Sequence, residues 1–379
     1  MYKLYYIFVL LISFNTLCYS IDSVVDDTEL VLTFLVHRHG DRTPVEATLS
    51  LSTDPAALNS ASAKYGYGQL TDVGILRSYE LGQFIRSRYD SLLSPHYNKS
   101  EIHIRSTDST RTKMTVLSAM AAVYPVNQNN WSEHINWTPV PYTTVPAKYD
   151  FVTTFNCPTF VLASASSPAS WMYKYSGVLN QWSEALGFNI TELPQYAYGI
   201  YDVYTSQMSL GIPLTPEIEE IFPELEEVAG AAMDVLFGKD DYINLQAGVL
   251  LSKFFEVADQ IIAGEDVPRV QIYSAHDVNV FTFQVITQIT THQGVPKYGS
   301  AYALELRKVV DTGEYIVVPV YLNTPSEDVV TYLQVDGCEK RCGLESFRNL
   351  TSKYVLDEDE WRTGCGFTED FVVDTTSID

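Results

Sequence analysis

The chain has 379 residues, and its 24 basic against 47 acidic side chains give a net charge of −23 at pH 7. Apolar residues make up 46% and charged residues 19%, a globular composition that excludes disorder and fibrous repeats. The chain lacks a basic stripe, so we expect no nucleic-acid partner. The length predicts two domains, or one large α/β domain with an insertion.

The first 20 residues have the layout of a cleaved secretory signal. Lys3 precedes an apolar run from Tyr5 to Phe14, and small residues follow at Cys18 and Ser20. The rest of the sequence has no stretch apolar enough for a membrane span, and the C-terminus is acidic. We therefore expect a secreted, extracellular protein without a membrane anchor, and favour this over the lysosomal lumen.

Four cysteines remain after removal of this segment: Cys157, Cys338, Cys342 and Cys365. An even number in an oxidising compartment predicts two disulfides, with three pairings open. Cys338 and Cys342 are close enough in sequence to close a small loop, which would leave Cys157 for Cys365. Their spacing does not favour zinc, and we expect no metal and no cofactor.

Five sequons are consistent with glycosylation of a secreted protein. They begin at Asn98, Asn130, Asn136, Asn189 and Asn349.

Residues 30–37 (LVLTFLVH) form a run rich in β-formers and predict a buried strand. The polar segment 38–44 (RHGDRTP) follows, and its glycine and proline place it on a loop. Ligands of open α/β sheets bind at the carboxyl ends of strands, so this loop is a candidate site. His37 precedes it, and we assign His37 a structural role.

The next strand–loop–helix unit has the same layout. A helix is predicted from Thr71 through residue 89, then a strand over 101–105, with Arg105 at its end. The segment Ser106-Thr-Asp108 is predicted to cap a helix that runs through Met120. Arg111 falls one helical turn after Asp108, and we interpret the two as an ion pair.

Residues 125–240 predict a smaller, mainly helical cap inserted into the sheet domain. Pro, Tyr, Trp and Asn are frequent over 125–215, with poor periodicity, and helices are predicted near 215–237 and 242–263. The glutamates between Glu217 and Glu227 predict a solvated helix face.

A third strand–loop–helix unit follows. Residues 270–273 predict a strand, and His276 and Asp277 stand in the turn before the next helix. Residues 300–309 and 314–322 predict an antiparallel pair. The fold class is therefore α/β, with helices around a mixed sheet.

If the three strands are neighbours, six polar side chains converge at their ends: Arg38, His39, Arg42, Arg105, His276 and Asp277. Three guanidiniums match a phosphate dianion. A neutral imidazole is a competent nucleophile, and positive neighbours keep His39 in that form. Asp277 can donate a proton to a leaving oxygen. This set predicts hydrolysis of a phosphate monoester through a phosphohistidine.

Four segments of the sequence resemble the histidine acid phosphatases. RHGDRTP at 38–44 resembles the RHGxRxP signature of that family, and YSAHD at 273–277 resembles its distal His-Asp element. Residues 68–89 and 105–111 are similar to its intervening segments. The resemblance runs from about residue 30 to Cys365, and is strongest to the secreted, prostatic/lysosomal-like animal branch, which includes insect venom acid phosphatases.

The resemblance implies a phosphoglycerate-mutase-like sheet fold with a helical cap and an acidic pH optimum. It implies His39 as the nucleophile and Asp277 as the proton donor, with no metal. It also implies phosphate contacts from Arg38, Arg42, Arg105 and His276. Further implications are the pairs Cys157–Cys365 and Cys338–Cys342, a possible homodimer, and a small phosphomonoester or a phosphorylated protein as substrate.

Two features depart from that family. The chain lacks the cysteines for a further disulfide of the vertebrate relatives, and its cap matches less well, so substrate preference does not transfer. A phosphotransferase of the phosphoglycerate mutase kind is disfavoured by the secretory signal and by His276-Asp277. A phytase-like pocket would need more positive charge. From a different class, a secreted binding protein without turnover remains the alternative.

Overall fold

One mixed sheet forms the centre of the structure. The structure is a computed structural model. It describes residues 24–126, 131–132, 134–153, 157–165, 173–187, 189–191, 194–238 and 241–367. The predicted signal segment 1–20 and the sequon at Asn130 lie outside these residues.

Within the described ranges, eight strands form this sheet. They are β1 (Thr28–Arg38), β2 (Ile102–Ser106), β3 (Thr143–Thr144), β4 (Val270–Ala275), β5 (Ala301–Val309), β6 (Tyr315–Leu322), β7 (Val330–Tyr332) and β8 (Cys342–Gly343). The order is β3-β2-β4-β1-β5-β6-β7, and β8 pairs with β6. Strands β3, β2, β4 and β1 are parallel, whereas β5 to β8 add antiparallel pairs. The predicted mixed α/β sheet is confirmed.

The helices cover both faces of the sheet and form the cap. They are α1 (Pro55–Ser62), α2 (Asp72–Arg88), α3 (Thr110–Val123), α4 (Pro158–Ala165), α5 (Ser176–Leu186), α6 (Pro194–Ser209), α7 (Pro216–Phe237), α8 (Asn244–Ile262), α9 (Asp277–Ile286), α10 (Leu344–Thr351) and α11 (Glu358–Cys365). Helix α3 begins after Ser109, whose hydroxyl accepts from the Thr112 N–H. The prediction that residues 106–108 form the N-cap of this helix is wrong, because β2 extends to Ser106 and the N-cap is Ser109.

Strand β1 is apolar throughout because both of its faces are covered. Leu35 belongs to one apolar cluster with residues of α2 and α3. Phe34 belongs to a second cluster, where its ring lies 5.8 Å from Phe254 of α8 and 5.8 Å from Phe283 of α9. Burying both faces fixes the register of β1, and with it the position of the loop at its end.

The described helices of the predicted cap region are α4 to α7, and they share the second apolar cluster with the sheet. Tyr201 of α6 stacks on Phe222 of α7 at 5.7 Å. The disulfides Cys157–Cys365 and Cys338–Cys342 are both present, and the first ties the cap region to α11. The cap is therefore held over the same face of the sheet as α8 and α9.

Backbone contact fixes the loop after β1 against the start of α2. A Cβ atom on Gly40 would lie 2.2 Å from the Gly74 carbonyl oxygen, and one on Gly74 would lie 2.0 Å from the Asp41 oxygen. Only glycine fits at either position. This contact holds residues 38–42 rigidly at the carboxyl end of β1.

A glycine also sets the packing of α2 on α3, and it gives a stability test. A Cβ on Gly82 would lie 2.0 Å from the Ala119 oxygen, so we expect Gly82→Ala to lower the free energy of unfolding by about 1–3 kcal/mol. Gly177 in α5 has nothing within 4 Å, so Gly177→Ala is the matched control and should be neutral or slightly stabilising. Urea denaturation of both variants measures this, and equal stability would contradict the close packing.

Candidate active site

The ends of β1 and β4 place two histidines side by side. The strands are parallel neighbours, and the His39 N–H donates to the Ala275 carbonyl at 3.1 Å. The rings of His39 and His276 then meet edge to face, with 5.5 Å between their centroids. Both side chains are buried, so their protonation is set by protein groups rather than by bulk water.

The tautomer of His39 follows from its hydrogen bond. Its Nδ1 lies 2.8 Å from the Gly40 carbonyl oxygen, which can only accept, so Nδ1 carries the proton. The lone pair is therefore on Nε2. The rigid glycine contact between the loop and α2 holds this carbonyl in place.

The charge state of His39 is equally constrained. Burial lowers its pKa well below 6.5, and the positive charges of Arg111, Arg38 and Arg42 lower this pKa further. Burial likewise lowers the pKa of His276 well below 6.5. Both imidazoles are neutral in weakly acidic solution.

Arg38 is held on three sides. It donates from Nη1 to the Pro296 carbonyl at 2.7 Å and from Nη2 to Asp277 at 2.8 Å. The Tyr298 ring packs 4.1 Å from its guanidinium carbon. Its side chain is only 2% exposed, so the orientation of its fork is fixed.

Arg42 is paired with a carboxylate of the cap. Its Nη2 donates to both oxygens of Asp202 in α6, at 2.8 and 2.9 Å, and its Nη1 donates to Thr43 and Ser206. Arg38 reaches the same Asp202 at a longer 3.5 Å. Asp202 therefore links both Arg38 and Arg42 to helix α6 of the cap.

The third arginine at the site is Arg111. Its Nη2 donates to His276 Nδ1 at 3.3 Å, and His276 Nε2 lies 3.1 Å from the Thr107 hydroxyl. Its predicted pairing with Asp108 is wrong, because Asp108 pairs with Lys113 at 2.5 Å. His276 thus has a protein partner on each ring nitrogen, and its phosphate contact stays a prediction.

Arg105 does not join these side chains. It stands inside β2, where its Nη2 pairs with Asp150 at 2.8 Å. It lines a separate cavity with His103 and Lys253. The expectation that Arg105 converges on His39 is therefore wrong. Arg105 lies within β2, so its side chain lies on a face of the sheet, whereas Arg111 lies beyond the end of the strand.

Asp277 is the first residue of α9 and is 6% exposed. Besides Arg38, it accepts from the Val278 N–H at 2.8 Å and from the Tyr198 hydroxyl. Burial and Asp277 both raise the pKa of Tyr198 above 10, so that hydroxyl keeps its proton. Asp277 therefore lies between an arginine and the cap.

Arg38 and Arg42 each have one buried donor without a partner among the described residues. They are the Nε–H groups of Arg38 and Arg42, whose outer nitrogens are already engaged. Unsatisfied buried guanidinium N–H groups are costly, and a phosphate oxygen would satisfy them. Elsewhere in the described ranges, no group of three His, Cys, Asp or Glu side chains could hold a metal ion.

A cavity of about 530 Å³ adjoins the site across Tyr298. Tyr201 and Phe222 form an aromatic wall. The charged lining residues include the ion pairs Arg77–Asp41 and Lys297–Glu226. The cavity is large enough for the organic part of a substrate.

Sequence reasoning missed Arg111, Asp202, Tyr198 and Tyr298 as site residues. Arg111 had a usable signal, since it stands in the first turn of the helix after β2, as Asp277 does after β4. Asp202 is the one charged residue of α6, and a lone acid in an apolar helix indicates a buried partner. The partner itself was not visible in the sequence.

Comparisons with known proteins identify the family of the chain. The model of the histidine phosphatase superfamily (branch 2) matches residues 29–323, and the chain belongs to this family. Bovine prostatic acid phosphatase is 28% identical over 372 residues, covering 93% of each chain. Rat lysosomal acid phosphatase is 28% identical over 366 residues, covering 93% of this chain and 84% of that protein.

The fold is also that of solved relatives. The phytase from Citrobacter braakii superposes with a TM-score of 0.66 at 16% identity, over 90% of this chain and all of that one. At this identity the likeness concerns the fold alone. The family and its curated relatives make the chain an acid phosphatase.

Binding of inorganic phosphate tests whether Arg111 or Arg105 contacts the phosphate. We expect Arg111→Lys to weaken the affinity for phosphate by about 10-fold or more, because it removes the forked donors beside His276. Arg105→Lys is the matched control and should stay within about 2-fold. Calorimetric titration measures both, and a larger loss in Arg105→Lys would contradict the assignment.

Proposed function

We propose that this chain hydrolyses phosphate monoesters in acidic solution through a covalent phosphohistidine on His39. The observation that carries the proposal is the hydrogen bond from His39 Nδ1 to Gly40, which leaves the Nε2 lone pair among three guanidiniums. Such a neutral, oriented imidazole is a nucleophile at low pH, where a free histidine would be protonated.

The phosphoryl group binds between the arginines. The unpartnered Nε–H groups of Arg38 and Arg42 donate to its oxygens, and Arg111 adds a third positive charge. These preorganised cations stabilise the charge that builds on the equatorial oxygens in the transition state. His276 orients Arg111 through its Nδ1.

In the first step, His39 Nε2 attacks phosphorus in line with the ester oxygen. The N–P bond forms and the P–O bond breaks, and the leaving oxygen takes the proton of Asp277. The contact with Arg38, which also faces the phosphoryl group, places the Asp277 carboxyl near the leaving oxygen, and the negative charge of the bound phosphate opposes a second negative charge on Asp277.

In the second step, water attacks the phosphohistidine. The new O–P bond forms, the N–P bond breaks, and Asp277 takes the proton of the water. Neutral His39, protonated Asp277 and inorganic phosphate result, so the cycle is closed without a cofactor or a metal.

The organic part of the substrate lies in the cavity lined by Tyr201, Phe222 and Tyr298. Its mixed aromatic and charged walls contain no pattern that selects one leaving group, which supports broad specificity toward small phosphomonoesters and phosphorylated proteins. A homodimer remains a prediction of the sequence.

Secretion is part of the proposal. The two disulfides fit an oxidising compartment, and the sequon residues Asn98, Asn136, Asn189 and Asn349 are exposed. In the described part of the chain, no helix is long and apolar enough to cross a membrane. The curated relatives include prostatic and lysosomal proteins, and the N-terminal segment favours the secreted route for this one.

The test uses His39→Ala with p-nitrophenyl phosphate in acidic buffer. We expect kcat to fall by about 10³-fold or more, because the nucleophile is lost, while chelation by EDTA leaves the wild type active. His96 is exposed, so His96→Ala is the matched control and should keep full activity. Activity that survives in His39→Ala would contradict the mechanism, and an inactive folded wild type would favour the binding protein.

The variant Asp277→Asn tests the role of Asp277 as proton donor separately from the role of His39 as nucleophile. Alkyl phosphates need a proton on the leaving oxygen, whereas p-nitrophenolate leaves without one. The loss of kcat should therefore be about 10²-fold larger with an alkyl phosphate than with p-nitrophenyl phosphate. Enzyme quenched in alkaline detergent, where the N–P bond is stable, should then hold phosphohistidine only with the aryl ester. An equal loss for both substrates would contradict Asp277 as the acid.

A further inference from the structure

Asp202 brings a negative charge into the phosphate site from outside the loops at the strand ends. Its carboxylate lies on α6 of the cap, accepts with both oxygens from Arg42 Nη2, and is 6% exposed. Removing such a pair from water is costly, so the charge needs a role at this site or a structural compensation.

The geometry of Arg42 shows how Asp202 and a phosphate coexist. Asp202 occupies Nη2, while Thr43 and Ser206 occupy Nη1. The Nε–H edge is left without a partner within the described residues. A phosphate can therefore bind at Nε while Asp202 stays in place and fixes the fork.

The charges then decide the protonation of the complex. Arg38, Arg42 and Arg111 supply three positive charges, and both imidazoles are neutral. Asp202 cancels one of the three. A phosphate dianion balances the remaining two, so an ionised Asp277 would leave the buried complex one negative charge in excess.

We infer that Asp202 makes phosphate capture proton-coupled: its carboxylate obliges the site to take up one proton with each phosphate dianion, and that proton is the one Asp277 delivers to the leaving oxygen. This rests on the proposed function. Asp202 is a positioning residue for Arg42 and also sets the proton count of the complex.

Other charged groups facing Asp202 do not remove this requirement. Arg38 and Arg42 face it from β1 and the following loop, Tyr198 from its own helix, and Tyr298 from the loop before β5. Both tyrosines keep their protons, since burial raises their pKa values above 10. On α7, Glu226 is paired with Lys297 at 3.4 Å and is turned to the adjoining cavity.

The experiment is calorimetric titration with inorganic phosphate at about pH 8, where the free ligand is largely dianionic. Repeating it in two buffers of different ionisation enthalpy gives the protons taken up per phosphate bound. We expect about one for the wild type and close to zero for Asp202→Asn, because the variant site balances a dianion and an ionised Asp277.

Two variants separate charge from position. Ser206→Ala removes a hydrogen bond to Arg42 without a change of charge, and Asp202→Glu keeps the charge with altered geometry. Both should bind phosphate more weakly and still take up about one proton. Loss of uptake in either of these, or unchanged uptake in Asp202→Asn, would overturn the inference.

Turnover gives a second readout. With an alkyl phosphate, Asp202→Asn should move the alkaline limb of the kcat profile toward lower pH by about one unit, because Asp277 is then ionised in the complex and has no proton for the leaving oxygen. Ser206→Ala should lower kcat/KM without moving the profile. Proton uptake is a binding measurement and His39→Ala should retain it, so failure of the phosphohistidine mechanism and failure of this inference are distinguishable.

Discussion

Positive charge packed around a buried imidazole is the constraint on which the site depends. Three guanidiniums lie near His39, and burial adds to their effect in holding its pKa well below 6.5. An enzyme that works in acid must keep its nucleophile unprotonated, and neighbouring cations do this without any conformational change. In the proposed mechanism the same cations attract the phosphoryl group, so one arrangement serves both binding and attack.

This arrangement needs a rigid support, and the fold provides it. Parallel pairing of β1 with β4 brings His39 and His276 together. The backbone contact between Gly40 and Gly74 fixes the loop whose carbonyl sets the His39 tautomer. Cations so close to one another would separate if they were exposed and unpaired, and the carboxylates of Asp277 and Asp202 hold them in place.

Much of the fold could be predicted from the sequence, since β1 and β4 are short apolar runs that end in polar loops. Their continuous burial leaves one register, so the convergence of Arg38, His39, Arg42, His276 and Asp277 followed from strand-end reasoning. Arg105 failed by the same reasoning, because β2 extends one residue further than expected and Arg105 lies inside it. An error of one or two residues in a strand end was enough to choose the wrong arginine.

The cap was the least predictable part because its contribution is made across long sequence separations. Asp202 meets Arg42 from 160 residues away, and no local periodicity reports such a contact. Tyr198 and Tyr298 reach the site in the same way, by packing of α6 and the loop before β5 over the strand ends. The residue types of the loops could be predicted to form the site from the sequence. The carboxylate and the tyrosines that come from other parts of the chain could be placed there only with the structure.

The central claim is that His39 is neutral and protonated on Nδ1. NMR of the protein labelled with ¹⁵N-histidine, with His39 assigned by comparison with His39→Asn, tests it between about pH 5.5 and 8. The account predicts that the His39 nitrogens keep the shifts of the neutral Nδ1–H tautomer across this range. Titration of His39 near pH 6.5, or a proton on Nε2, would contradict it.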